Sequence, residues 1–93
     1  MQKFLMCGSC PPEALREVGV GYKEKTLKIA KMFNGEINAM YSTAGEFDLV
    51  LLIDLPDIES AMKASIELNK LTGVRFSTSP LIALEELFKS EED

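Results

Sequence analysis

The stretch from Tyr41 to Pro56, Tyr-Ser-Thr-Ala-Gly-Glu-Phe-Asp-Leu-Val-Leu-Leu-Ile-Asp-Leu-Pro, constrains the fold most. A short polar turn, Ala44-Gly45-Glu46, separates two runs that alternate at strand period. In the second run Phe47, Leu49, Leu51 and Ile53 form one face, and Asp48, Val50, Leu52 and Asp54 the other. Both faces are largely apolar, so both need cover. The block therefore predicts a β-hairpin whose second strand, 47–55, is central to a sheet and begins at a carboxylate.

The flanking patterns complete the fold. Residues 2–8 read as a first strand, closed by Ser9, Cys10, Pro11 and Pro12. Pro12 suits a helix start, where its missing N–H costs nothing. Apolar positions Leu15, Val18, Tyr22, Ile29 and Phe33 then recur at helical spacing, interrupted near Gly19 and Gly21, with Asn34-Gly35 as the stop. Residues 36–43 form the second strand. Ile37, Ala39, Tyr41 and Thr43 are expected on one face, and Asn38, Met40 and Ser42 on the other. Asp57 is placed to cap a second helix, with Ile58, Ala61, Met62, Ser65 and Leu68 inward and Thr72-Gly73 as its end. Residues 74–79 make a fourth strand, ended by Pro80, and Leu81 to Phe88 close in a short helix.

The order β-α-β-β-α-β is the ferredoxin-like, split βαβ arrangement: one α+β domain over 1–93, with a four-stranded antiparallel sheet and both helices on one face. The other face stays bare. It is expected to carry Leu5, Met40, Val50 and Leu52, an apolar patch that a second copy would cover sheet to sheet. A homodimer enclosing a dimeric α/β barrel follows, with segment 81–93 lying on the partner subunit.

Composition limits the chemistry. The chain has no histidine, which removes Ser-His-Asp and Cys-His catalysis and imidazole metal ligands. Ten basic against fifteen acidic residues leave a net charge of −5, so direct nucleic-acid binding is not expected. No apolar run has the length of a membrane span, and the N-terminal pattern is not that of a signal peptide. A cytoplasmic protein with reduced thiols is expected, with no cofactor.

Three groups of residues could carry function. Asp48, with Tyr41 and Arg75, could form a catalytic set: a carboxylate inside an apolar barrel titrates high and can serve as general acid or base. Asp48 could equally accept hydrogen bonds from a ligand amine, cap backbone N–H groups or pair with Arg75. Thr43, Gly45, Glu46 and Phe47 lie at the turn beside it and are the candidate ligand-binding residues. Ser77 could share the same cavity. Cys7-Gly8-Ser9-Cys10 is a CxxC at a strand-to-helix junction, a spacing seen in redox and metal sites. Pro11-Pro12 keeps both cysteines out of the helix's first turn, and two ordinary thiols are the alternative.

Tyr41-x-Thr43-x-Gly45-Glu46-Phe47-Asp48 with its apolar run to Pro56 resembles the signature of the GYD-domain family. Phe47 stands where the family usually has tyrosine. Pro12-Glu13-Ala14-Leu15 resembles the family's first-helix entry, and Thr78-x-Pro80-Leu81 followed by Glu85-Glu86 its closing segment. The resemblance implies a dimeric α/β-barrel, ferredoxin-like domain and says little of activity. Gly45-x-Phe47-Asp48 with Gly73-Val74-Arg75 and Thr78 is also similar to the effector domain of Lrp/AsnC-type regulators, which implies amino-acid binding near the hairpin turn at subunit contacts. Small-molecule binding is thus the leading expectation. A cofactor-free monooxygenase, isomerase or decarboxylase of the barrel type is the enzymatic alternative, and a CxxC metal or thiol protein the third.

Overall fold

The computed structural model describes residues 1–10 and 21–89. The expected helix entry at Pro12 and its interruption at Gly19 lie outside these residues. The elements run β1 (Gln2–Ser9), α1 (Tyr22–Met32), β2 (Glu36–Ser42), β3 (Leu49–Leu55), α2 (Ile58–Thr72), β4 (Arg75–Leu81) and α3 (Leu84–Lys89) along the chain. The sheet order is β2-β3-β1-β4, antiparallel throughout. This is the ferredoxin-like α+β fold, with β1 and β3 at the centre.

Local chemistry sets the element ends. Asp57 accepts a hydrogen bond from the Ser60 N–H at 2.8 Å and caps α2. Gly73, at φ 77°, ends that helix in the left-handed region. Asn34, at φ 59°, turns the chain out of α1. Pro80 does not end β4, which continues through it to Leu81. β4 is an edge strand, so one side of its backbone needs no ladder partner and proline is tolerated. The hairpin is looser than a short turn, with six residues, 43–48, between β2 and β3.

The core lies between the sheet and α1 and α2. Phe4, Met6, Leu51, Ile53 and Leu55 from the central strands meet Ile29, Ala30, Ala61, Ala64 and Leu68 from the helices. In α2 the buried stripe is Ala61, Ala64 and Leu68; Ile58 and Met62, expected inward, are exposed. The two alanines allow close approach to the sheet, which rotates the larger Ile58 and Met62 onto the flank.

A second correction concerns β2. Its register against β3 shifts between Ile37 and Ala39. Ile37 pairs with Ile53 and packs on the core, whereas Ala39 pairs with Leu52 and Tyr41 with Val50, on the sheet face away from the helices. Met40, expected on that bare face, packs against the core instead. The extra residue is Asn38, and a bulge of one residue reverses the facing of everything beyond it.

Side-chain bonds across three strands surround the bulge. Asn38 Nδ2 donates to Asp54 Oδ2 at 3.1 Å, and Lys3 Nζ donates to Asn38 Oδ1 at 2.6 Å and Asp54 Oδ1 at 3.1 Å. Hydrogen bonds from Lys3 and then Asn38 hold the Asp54 carboxyl below its ordinary value. A depressed folded-state pKa gives stability that is present at neutral pH and lost as pH falls through the folded value. Asp54→Asn should therefore flatten part of the acid-side decline in melting temperature while leaving the basic side unchanged. An acid-side slope identical to wild type would show that the carboxylate is not held by these bonds.

Candidate functional site

Among the described residues, the sheet face away from the helices is covered by neither α1 nor α2. Its side chains fall into cross-strand rows about 7 Å apart. Tyr41, Val50, Cys7 and Ser77 form one row, and Ala39, Leu52, Leu5 and Ser79 the next. Lys3, Asp54 and Leu81 close one end; Ser9 and Arg75 lie at the other. The face thus has an apolar centre, polar or charged ends and a serine-lined edge on β4. Val50, Leu52 and Leu5 are half-buried, while Tyr41 is 59% exposed.

Asp48 is engaged at this sheet's end. Its Oδ2 accepts the Cys10 backbone N–H at 3.1 Å, and its own N–H donates to the Gly8 carbonyl at 2.8 Å. The carboxylate therefore satisfies the chain where β1 leaves the sheet and can no longer pair. No ion pair joins it to Arg75 among the described residues. Tyr41 and Arg75 stand on or at the start of opposite edge strands, three strand spacings (about 14 Å) apart. The structure does not bring Asp48, Tyr41 and Arg75 together as a catalytic set within one subunit.

These contacts make the role of Asp48 measurable. Asp48→Ala leaves the Cys10 N–H without its acceptor and should cost about 1–3 kcal/mol in urea unfolding. Asp48→Asn keeps an accepting oxygen and should cost less. Equal losses in the two variants would mean that the charge, not the acceptor, matters.

The turn residues are a local assembly. Thr43 Oγ1 accepts the Gly45 N–H at 3.2 Å, and the Thr43 N–H donates to the Asp48 carbonyl at 3.0 Å. Gly45 and Glu46 are exposed and Phe47 is half-buried. Gly45 does not occupy the left-handed region, so the backbone does not demand glycine there.

The two cysteines have different settings. Cys7 sits on the open face in the Val50–Ser77 row, whereas Cys10 packs with Tyr22, Leu49 and Val74 at the helix side. Both are free thiols. Burial, and then the charge of Asp48, push the Cys10 thiol up, which disfavours the thiolate that redox exchange or metal ligation requires. Among the described residues no cluster of three or more His, Cys, Asp or Glu could hold a metal ion. Next to Cys10, burial raises the Tyr22 phenol to about 12, so it stays neutral.

Sequence reasoning missed the Lys3–Asn38–Asp54 network, and it offered backbone capping by Asp48 without identifying the Cys10 N–H as the group capped. Both join residues far apart in the chain, and only the alternation at Asp48 and Asp54 hinted that they share a face.

Comparison with known proteins fits this geometry. The GYD domain profile matches residues 4–89. No curated protein sequence matches the chain. The fold is similar to that of the leucine response regulatory protein of Mycobacterium tuberculosis, with a TM-score of 0.64 and 14% identity over 88% of this chain and 51% of that one. It is also similar to the feast or famine regulatory protein from M. tuberculosis complexed with L-methionine, with a TM-score of 0.63 and 15% identity over 89% and 51%. At such identities the likeness is one of fold. The chain spans about half the length of these regulators.

Proposed function

Because this chain belongs to the GYD-domain family, we propose that it is a small ligand-binding α/β domain whose open sheet face pairs with that of a second copy and holds a small organic molecule between the two sheets. The observation that carries the reading is the layout of that face. Leu5, Val50, Leu52 and Ala39 form a continuous apolar centre on the sheet, with polar side chains at its ends and at both edges, Tyr41 on β2 and Ser77 and Ser79 on β4. A wet apolar centre of this kind is costly, and a second copy removes it from water. The structural neighbour bound to L-methionine supports a small organic ligand as the occupant class.

The remaining features agree with this assignment. Leu84, Leu87 and Phe88 on α3 are all exposed, as is Ile82 just before it. The Cα radius of gyration, 14.3 Å, exceeds the roughly 12 Å of a compact chain of this length. We assign residues 81–89 to contact with the partner subunit; the rest of the expected segment 81–93 lies outside the described residues. No helix among the described residues is long and apolar enough to cross a membrane, and we place the protein in the cytoplasm with its thiols reduced. A barrel-type enzyme is the weaker reading, since Asp48 already serves the Cys10 N–H.

Native mass spectrometry of protein purified without added ligand tests the proposal. A dimer mass, with a small molecule released on denaturation, is expected. A monomer mass across gentle conditions would refute it.

A further inference from the structure

Two cations lie on the open face, and they are treated differently. Lys3, at one end, is bonded to both Asp54 and Asn38. Arg75, at the other, is exposed and forms no ion pair among the described residues. The carboxylate at its end of the sheet, Asp48, accepts the Cys10 N–H. If a second copy covers this face, Arg75 loses water, and a guanidinium that loses water needs an anion.

The surroundings indicate what kind of anion. Ser77 and Ser79 follow Arg75 along β4, their side chains on the same face by register, and their hydroxyls can donate to an oxygen-rich head group. One and two rows further on, the central strands offer Val50, Leu52 and Leu5 to an apolar body. A net charge of −5 repels free anions from the protein at large, so an anionic ligand needs a local cation to be held.

We infer that the covered face binds an amphiphilic monocarboxylate, with Arg75 pairing with its carboxylate, Ser77 and Ser79 flanking the head, and Val50, Leu52 and Leu5 taking its apolar body. The inference rests on the dimer reading above. Guanidinium and carboxylate meet in a two-pronged hydrogen-bonded pair, which a lysine matches in charge but not in shape. The apolar body adds affinity in proportion to the area it removes from water.

The test uses full-length protein, sedimentation to fix the oligomer, and calorimetric titration with octanoate, octanol and octylamine. Octanoate should bind about tenfold or more tighter than octanol, and octylamine weakest. Arg75→Gln should remain dimeric and lose the preference for octanoate, and Arg75→Lys should keep part of it. Titration with butanoate should show weaker binding than octanoate, because the apolar rows are left unfilled. A dimer that binds octanoate no better than octanol, or an Arg75→Gln dimer that binds it unchanged, overturns the inference and leaves the dimer reading standing. Dissociation of the Arg75→Gln dimer also overturns it, by showing that Arg75 pairs with the partner subunit. A wild-type monomer overturns the dimer reading, and the inference with it.

Discussion

Leu52→Glu should leave the domain folded and abolish its self-association. Leu52 is half-buried at the centre of the open face, opposite Leu5 and Ala39, and its side chain does not enter the helix-side core. A glutamate there is hydrated in the lone subunit and costs little. Pressed between two sheets it is a charge without a partner, repeated by symmetry in the second subunit. The dimer dissociation constant should rise by about 100-fold or more. Sedimentation velocity checks the assembly and circular dichroism checks the fold. A Leu52→Glu protein that remains dimeric would show that the subunits meet elsewhere.

Leu51→Ala should do the reverse. Leu51 is fully buried, packed among Phe4, Met6 and the helices. Its truncation removes buried methyl groups and leaves a cavity that the surrounding β3 and β1 side chains can fill only in part. The expected cost is about 2–5 kcal/mol, a large share of the 5–15 kcal/mol typical of a whole domain. Urea unfolding should show a lower midpoint, and the protein that stays folded should still associate, since the open face is untouched. A loss below about 1 kcal/mol would contradict the assignment of Leu51 to the core. The two neighbours thus separate the faces of β3: one substitution reads the fold, the other the assembly.

Much of the fold was legible because it rests on local signals. The alternation in 47–55 identifies a central strand; Leu49, Leu51 and Ile53 of its expected core face are buried, as is Leu55, while Phe47 precedes β3 and is half-buried. Asp57, Asn34 and Gly73 act where a cap, a positive φ and a helix stop were expected. What was not legible depends on partners distant in sequence. The bulge at Asn38 is fixed by Asp54 and Lys3, and without it Ala39 and Met40 are assigned to the wrong faces. The rotation of α2 depends on Ala61 and Ala64 meeting the sheet, which outweighs the larger hydrophobicity of Ile58 and Met62. Pro80 stops a strand only where its missing N–H would matter, and at an edge it does not.

The candidate site shows the same division. The polar and apolar alternation located Asp48 at the start of β3, but the sequence left open whether it caps backbone, meets Arg75 or faces a ligand. Its partner, the Cys10 N–H, lies 38 residues away, and no periodicity encodes that meeting. The bond gives Asp48 a structural task and moves the functional weight to the open face itself. There Tyr41 and Arg75 mark opposite edges of an apolar centre.

Sedimentation of the wild-type protein at micromolar concentration tests whether two open faces pair. A single species at the mass of two chains is the expected result; a clean monomer would leave Leu5, Val50 and Leu52 facing water and refute the pairing.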